Sequence, residues 1–207
     1  MISIISATPN PIDTISRAAG TCYGKDDGGF KRVKNCYKAG HDSVLEHASV
    51  TFRAEGISRA CANQLVRHRL ASYCQESQRY VKVDVGSNDW YVMPPVYAEM
   101  DSHDGRRIGF ENLMWSAACE YELALNDGIK PEDARYMLPE ATKTAITVTM
   151  NVRSLFHLFD LRLDKAAQWE IRQMAGEVKE AVSGISLEWK ALIKMWEEEH
   201  EDHQAKR

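Results

Sequence analysis

The sequence has no long apolar run and no leader-like N-terminus. Its 207 residues contain no apolar stretch of about 18 residues, the length that a membrane-spanning helix requires. The first residues, MISIISATPNP, include neither a basic segment nor a long apolar one, so no signal peptide is predicted. We therefore expect a cytoplasmic protein without a membrane span.

Paired cysteines and an excess of positive charge are also lacking. The five cysteines are scattered without a Cys-x-x-Cys pair, a pattern typical of reduced thiols in a cytosol-like compartment. The 26 Lys and Arg against 30 Asp and Glu give a net charge of −4, which argues against bulk attraction to nucleic acid but allows a local phosphate site. Hydrophobic residues make up 44% of the chain, enough for a core, and we expect a single domain over residues 1–207.

Local patterns predict an α+β fold with a central, mostly antiparallel sheet flanked by helices. Strands are predicted where β-forming or alternating residues occur, at Ile2 to Ala7, at Val50 to Ala54 with a break at Gly56, at Trp90 to Met93 and at Thr144 to Val152. Helices are predicted from Asp13 or Thr14, over Phe30 to Ala39, from the cap Ser58 to about His68, over Ile108 to Asn126, after Pro131, over Ser154 to Leu161, over Lys165 to about Val182 and from about Ser186. Lys25 to Gly29 and the residues from Gly86 to the Trp90 strand are predicted loops, and ASYCQESQRY shows no regular period.

Three cationic or titratable side chains, Arg67, His68 and Arg69, follow one another at the predicted end of a helix. Because neighbouring helical residues differ by about 100° in direction, the two arginines would face different anionic groups. Arginine suits such groups because its planar guanidinium holds phosphate through two nitrogens, and Ser77 offers a hydroxyl seven residues further on. A solvated basic helix end is the alternative interpretation, since basic residues favour helix C-termini.

Two further clusters carry positive charge. Arg153 and His157 are four residues apart, so they share a helical face, and Arg162 follows them. A surface arginine beside a structural histidine is the alternative. Glu132 and Arg135 are three residues apart, which a surface ion pair would explain equally well.

The segment HDSVLEH, over residues 41–47, carries two histidines and two acidic residues. Its spacing is not diagnostic of a metal site, and hydrogen-bonded structural histidines are the alternative. His200 and His203 lie in a charged tail that is expected to be solvated. We expect no metal.

Together these residues resemble one family. Arg67-His68-Arg69, seven further residues and Ser77 are similar to the signature of the flavin-dependent thymidylate synthases, the ThyX family. The surrounding text, HDSVLEH, NQLVRHRLASYCQESQRY and NVRSLFHLFDLRLDKAAQWEIR, continues the likeness in the family's order, from about His41 to Met174. Several separate blocks at compatible spacing outweigh the alternative interpretations given for each cluster alone.

The resemblance implies a ThyX-type fold and a homotetramer whose active sites are assembled from several subunits. It also implies reductive methylation of dUMP to dTMP. The carbon donor would be 5,10-methylenetetrahydrofolate, the hydride carrier FAD and the reductant NADPH.

The matching positions imply which residues contact each ligand. The implied FAD contacts are Ser43, Arg67, His68, Arg69, Gln75, Asn151, Val152, Arg153 and His157. The implied dUMP contacts are Gln64, Leu65, Val66, Arg67, Gln75, Glu76, Ser77, Gln78, Arg79, Arg135 and Arg162. His41 matches a histidine near the flavin and folate. Some relatives have Asn at the His157 position and Glu at the Gln75 position. Because an amide can both accept and donate hydrogen bonds, this difference is expected to affect the fine tuning of the ligand contacts more than ligand binding itself.

Arg162 is the predicted catalytic residue. The C5 carbon of uracil is a poor nucleophile, and it becomes more reactive when negative charge at N3 and the neighbouring oxygens is stabilised. A guanidinium does this because it is always protonated and presents fixed donors, so no protein nucleophile is expected. Arg79 and Arg135, with loop amides, would hold the phosphate and the ring. Cys74 lies inside the signature, but nothing near it marks an activated thiol.

Three other functions could use the same residues. A nucleotide-binding regulator without turnover would use the arginines for phosphate. A nucleic-acid-binding protein would use the Arg67–Arg69 segment. A metalloenzyme would use His41, His47 or the tail histidines.

Overall fold

The computed structural model describes residues 1–25, 28–87 and 89–204, with side chains up to residue 200. The strands in these residues are β1 (Ile2–Ala7), β2 (Ser49–Ser58), β3 (Ala71–Gln75) and β4 (Lys143–Asn151). The helices are α1 (Pro11–Thr21), α2 (Gly29–Lys38), α3 (Arg59–Leu65), α4 (Pro95–Ala98), α5 (Gly105–Asn126), α6 (Pro131–Ala134), α7 (Val152–Arg162), α8 (Trp169–Ser183) and α9 (Leu187–Gln204). Asp42–His47 and Arg135–Met137 form 3-10 helices.

The chain divides into two compact units. The first unit contains Met1–Ala54, Leu65–Cys74 and the chain from Thr147 onwards, and the second contains Glu55–Gln64 and Gln75–Ile146. Each unit draws on separate stretches of sequence, so neither corresponds to one continuous half of the chain. The prediction of a single domain over residues 1–207 stays a prediction.

The strands of the described residues form a sheet with the order β1-β2-β4-β3. β1 runs antiparallel to β2, with Ile4 opposite Phe52 and a shift in register after Ile4. From Ser49 to Ala54 in β2, and throughout β4, every second side chain is buried, including those of Phe52 and Val148, which are fully inaccessible. This alternation gives the sheet one apolar face. The predicted α+β class with an antiparallel sheet is confirmed.

Helices of the first unit bury their apolar stripes together. Leu158 of α7, Ile171 of α8 and Trp189 of α9 are all fully buried. The indole Nε1–H of Trp189 donates to the carbonyl of Thr8 at 3.0 Å, so α9 is fixed to the residue that follows β1. This packing holds α7, which carries Arg162, in a defined position.

The second unit is organised around α5. Met114, Tyr121 and Ala124 of this helix are buried in one cluster with Val85 and Trp90. The hydroxyl of Tyr121 accepts a hydrogen bond from the Val83 amide at 3.2 Å, which satisfies the polar end of a fully buried side chain. The cluster anchors the segment that follows β3.

Several boundaries differ from the sequence-based predictions. β2 does not break at Gly56 but continues through it to Ser58, with Gly56 at φ 74°, which glycine tolerates. α1 begins at Pro11, because proline suits the first helical turn. The predicted strand Trp90–Met93 is reduced to one bridge between Tyr91 and Thr142.

The connections show two further outcomes. Of the predicted loop Lys25–Gly29, Asp26 and Asp27 lie outside the described residues, and Gly29 already belongs to α2. Among the helices that the structure describes, none is long and apolar enough to cross a membrane.

Candidate functional site

The Arg67–Arg69 segment lies on a turn, not on a helix. α3 ends at Leu65, three residues before the predicted end at His68. The Tyr73 hydroxyl donates to the carbonyls of Leu65 at 3.0 Å and His68 at 2.6 Å, and so closes the turn. The expectation that Arg67 and Arg69 face two different anionic groups was based on helical geometry; the segment is not helical, and both residues line one cavity.

This cavity belongs to the first unit and has a volume of about 600 Å³. Ligand sites are commonly about 300–1,000 Å³, so its size suits a large organic ligand. The predicted FAD residues that line it are Arg67, His68, Arg69, Arg153 and His157. The structure thus brings together two segments that are more than eighty positions apart in the sequence.

Three arginines and two aspartates, Asp42 and Asp160, line the cavity, so its charged side chains have a positive excess of one. Arg153 is paired, its Nη1 lying 2.6 Å from Glu46 Oε1. Within the described residues, the guanidinium groups of Arg67 and Arg69 form no hydrogen bond or ion pair. Two cations that have no partner in the described part of the chain favour a ligand with more than one negative charge.

His68 is the most buried polar residue of the cavity, with 6% of its surface exposed. Its Nε2 accepts a hydrogen bond from Arg162 Nε at 3.0 Å, which places the ring proton on Nδ1. Burial, and then the electrostatic interactions with Arg162 and His157, lower the pKa of His68 to about 4. The ring is therefore neutral at physiological pH, and its buried Nδ1 has no partner in the described residues.

The low pKa of His68 predicts a pH-dependent free energy of unfolding. Below pH 6.5, the ordinary pKa, the His68 ring becomes protonated in the unfolded chain but stays neutral in the folded protein. The free energy of unfolding therefore falls as the pH decreases. We expect wild type to lose about 2 kcal/mol more than His68→Gln between pH 7 and pH 5. Urea unfolding of the flavin-free proteins at both pH values measures this, and equal losses would contradict it.

The other residues predicted for FAD do not line the cavity. Ser43 is exposed, and the Asn151 side chain accepts from the Ser154 amide at 2.8 Å and caps α7. Val152 is fully buried. His41, predicted near the flavin and folate, is exposed. Their implied contacts stay predictions.

The second unit holds another set of predicted residues around a cavity of about 220 Å³. Gln78 and Arg135 line it, together with Arg59, which the sequence did not single out. Gln78 is 7% exposed, and its Nε2 and the Arg59 Nη1 are buried without a partner among the described residues. Unsatisfied buried donors are costly, so this cavity favours a ligand rich in acceptors. Nothing in the local sequence distinguishes Arg59 from a surface arginine.

Arg79 and Arg135 are tied to Glu132. Both Nε and Nη2 of Arg79 contact Glu132 Oε2, at 3.1 and 3.0 Å. Arg135 Nε donates to the Glu132 carbonyl at 3.0 Å. The Glu132 carboxylate pairs with Arg79 instead of forming the alternative ion pair with Arg135. Glu132 therefore fixes both predicted dUMP arginines of this unit.

The remaining predicted dUMP residues have varied surroundings. Ser77 Oγ accepts from the Arg79 amide at 3.3 Å, and Gln75, also predicted for FAD, donates to Thr144 Oγ1 at 3.4 Å. Glu76, Val66 and Cys74 are exposed. Gln64 is partly buried, and Leu65 is fully buried. In the described residues no three or more His, Cys, Asp or Glu side chains are grouped to hold a metal ion.

Comparisons with known proteins show which family the sequence matches. The sequence profile of the family described as thymidylate synthase complementing protein matches residues 3–186. The flavin-dependent thymidylate synthase of Geobacter sulfurreducens is 43% identical over 196 residues, covering 89% of this chain and 83% of the relative. That of Pyrococcus furiosus is 38% identical over 193 residues, covering 88% and 78%.

A solved structure shows the same fold. The crystal structure of flavin-dependent thymidylate synthase ThyX from Helicobacter pylori, complexed with FAD and dUMP, superimposes with a TM-score of 0.69. It is 25% identical in sequence, and the match covers 87% of this chain and 92% of that chain.

Proposed function

Because the chain belongs to the family of flavin-dependent thymidylate synthases, we propose that it binds FAD and dUMP and methylates dUMP to dTMP. The carbon donor is 5,10-methylenetetrahydrofolate, the reductant is NADPH, and the reaction takes place in the cytoplasm. The proposal is supported most directly by the cavity that brings Arg67, His68 and Arg69 together with Arg153 and His157.

The chemistry of this cavity fits FAD. The guanidinium groups of Arg67 and Arg69, which have no partner within the residues that the structure describes, suit the two negative charges of its pyrophosphate. The buried Nδ1–H of His68 needs an acceptor, and the carbonyls and ring nitrogens of a flavin supply such acceptors. Arg153 and His157 complete the proposed contacts. When bound, FAD supplies hydride transfer, which no protein side chain can perform.

The cavity of the second unit fits the phosphate of dUMP. Arg59 and Gln78 present donors that have no partner among the described residues. Arg135 adds a second positive charge to a lining that also contains the carboxylate of Glu140. A phosphate monoester offers about −1.5 to −2 charges and three strong acceptor oxygens at pH 7. We propose that these residues, with Arg79 and Ser77, hold the phosphate.

Arg59 gives a direct test of this assignment. We expect Arg59→Ala to weaken dUMP binding about tenfold, since a hydrogen bond to a charged group contributes about 1.5–3 kcal/mol, and to leave FAD binding within twofold. Equilibrium titration of the flavin-loaded protein measures both affinities. Arg106→Ala, which removes a guanidinium bound to Asp104 on the surface, is the matched control for loss of charge.

In the same experiment, deoxyuridine distinguishes contacts to the phosphate from contacts to the base. It lacks the phosphate, so wild type and Arg59→Ala should bind it equally. Equal dUMP affinity in wild type and Arg59→Ala would remove Arg59 from the site.

Arg162 acts on the uracil in this proposal. Its guanidinium stabilises negative charge at N3 and the adjacent oxygens, so that C5 becomes nucleophilic without a covalent bond to the protein. The exposed Cys74 thiol on β3 has no part in the reaction.

We also propose a homotetramer. Ile108, Trp115 and Leu123 lie seven and eight residues apart on α5, hence on one face, and their side chains are 39%, 71% and 53% exposed. An exposed apolar strip that contains tryptophan is typical of an interface. Light scattering on the purified protein measures the mass of the assembly.

One assay distinguishes the proposed function from a regulator without turnover. The purified protein should be yellow, and NADPH should bleach its flavin absorption. NADPH oxidation should depend on dUMP, and dTMP should form only when methylenetetrahydrofolate is present. A colourless protein that binds dUMP without forming dTMP under saturating FAD would refute the proposal.

A further inference from the structure

Arg162 is held by a neutral partner from a distant part of the chain. Its Nε–H donates to Nε2 of His68 at 3.0 Å, across 94 residues of sequence. Both residues belong to the first unit: Arg162 is the last residue of α7, and His68 lies on the turn between α3 and β3. This contact joins the proposed flavin cavity to the proposed catalytic side chain.

We infer that His68 is a positioning residue for Arg162 and holds its guanidinium in the orientation that acts on the uracil. The inference rests on the proposed thymidylate synthase function and deepens it. His68 has this role in addition to its place in the cavity wall, and it acts on the substrate only through Arg162.

The bond to Nε is well suited to orienting an arginine. The guanidinium is planar, and its five N–H donors have fixed directions, so an acceptor on Nε restricts rotation of the whole group. Imidazole accepts this bond without bringing a negative charge. The His68 contact therefore orients Arg162 without offsetting the charge that the uracil needs.

His68 is itself rigidly placed. Its amide donates to the Leu65 carbonyl at 3.1 Å, and its carbonyl accepts from the Tyr73 hydroxyl at 2.6 Å. Its ring is 6% exposed and lies edge-on to His157, with 5.7 Å between ring centroids. A fixed acceptor transmits its position to the donor, as partners of metal ligands do in other proteins.

Three substitutions at His68 test the inference. In His68→Gln the side-chain oxygen can reach the place of Nε2, so an acceptor for Arg162 is retained. In His68→Asn the amide is too short to reach Arg162, and in His68→Leu the acceptor is lost. With FAD content and thermal unfolding recorded for each protein, we expect kcat for dTMP formation to fall about 10- to 100-fold in the Asn and Leu variants. The kcat should fall less than about threefold in the Gln variant. The control His103→Leu, which removes an exposed surface histidine, should have the kcat of wild type.

A double-mutant cycle shows whether His68 acts through Arg162. Arg162→Lys keeps the charge but lacks Nε, so His68→Leu should have less than about a twofold further effect in that background. The dUMP affinity of the flavin-loaded proteins is measured in the same cycle. It tests the coupling between His68 and Arg162 even in variants with low turnover.

The outcomes separate this inference from the proposed function. Equal losses of kcat in His68→Gln and His68→Leu would overturn the inference. Losses from the His68 and Arg162 substitutions that multiply in the double variant would also overturn it, because His68 would then act independently of Arg162. Wild type activity in His68→Leu would overturn it as well. Absence of dTMP formation by the flavin-loaded wild type would instead refute the proposed function.

Discussion

Arg162→Ala is expected to abolish dTMP formation while the protein retains FAD. Removing one preorganised donor that stabilises developing charge commonly costs about 10²–10³ in rate, and Arg162 here supplies a full positive charge to a weak carbon nucleophile. FAD should stay bound because Arg162 does not line the cavity of about 600 Å³. The two effects are therefore separable in one protein.

Single-turnover formation of dTMP by the flavin-loaded variant measures the loss, and flavin absorbance after gel filtration measures retention. Arg162→Lys is the matched control, since it keeps the charge without the planar donors and should fall between wild type and Arg162→Ala. Turnover in Arg162→Ala comparable to wild type would refute the catalytic role. Loss of flavin together with activity would instead make Arg162 a cofactor residue.

The same variant also tests the contact with His68 without any assay of activity. The positive charge of Arg162 is one of the causes that lower the pKa of His68 to about 4. Removing that charge should raise the pKa of His68 while burial still keeps it below 6.5. Histidine ring resonances followed by NMR against pH measure this shift. An unchanged pKa would show that the two side chains are not in contact in solution.

Local patterns predicted those elements that are formed by their own residues. β4 has a strong β-forming run and α5 has apolar residues at helical spacing, and their predicted bounds agree with the structure to within a few residues. β3 was not predicted, because Ala71–Gln75 has a polar composition and gains its strand structure from its neighbour β4, about 70 positions away. The pairing of a strand with a distant segment leaves no signal in the strand's own sequence.

The candidate site shows the same limit. The family signature pointed to Arg67, His68 and Arg69, and the structure places all of them on one cavity. The bond between His68 and Arg162 depends on how α7 packs, which no motif encodes. Arg59 was missed because its significance comes from burial beside Gln78, a residue 19 positions later.

Arg79→Ala is expected to weaken dUMP binding about 10- to 100-fold and to change FAD binding less than twofold. Arg79 is 51% exposed and is paired only with Glu132 among the described residues outside its own turn. An exposed ion pair contributes about 0–1 kcal/mol, so its loss should hardly affect folding. A phosphate carries more charge than the Glu132 carboxylate, and charged hydrogen bonds to it contribute about 1.5–3 kcal/mol.

Glu132→Gln removes the same ion pair from its other side and keeps Arg79. If Arg79 holds the dUMP phosphate, this variant should bind dUMP as tightly as wild type or more tightly, because the competing carboxylate is gone. Titration of both variants with dUMP and with deoxyuridine, at low and high salt, measures the phosphate-dependent part of the affinity. Equal weakening in Arg79→Ala and Glu132→Gln would mean that the ion pair shapes the loop, and the assignment of Arg79 to the phosphate would fail.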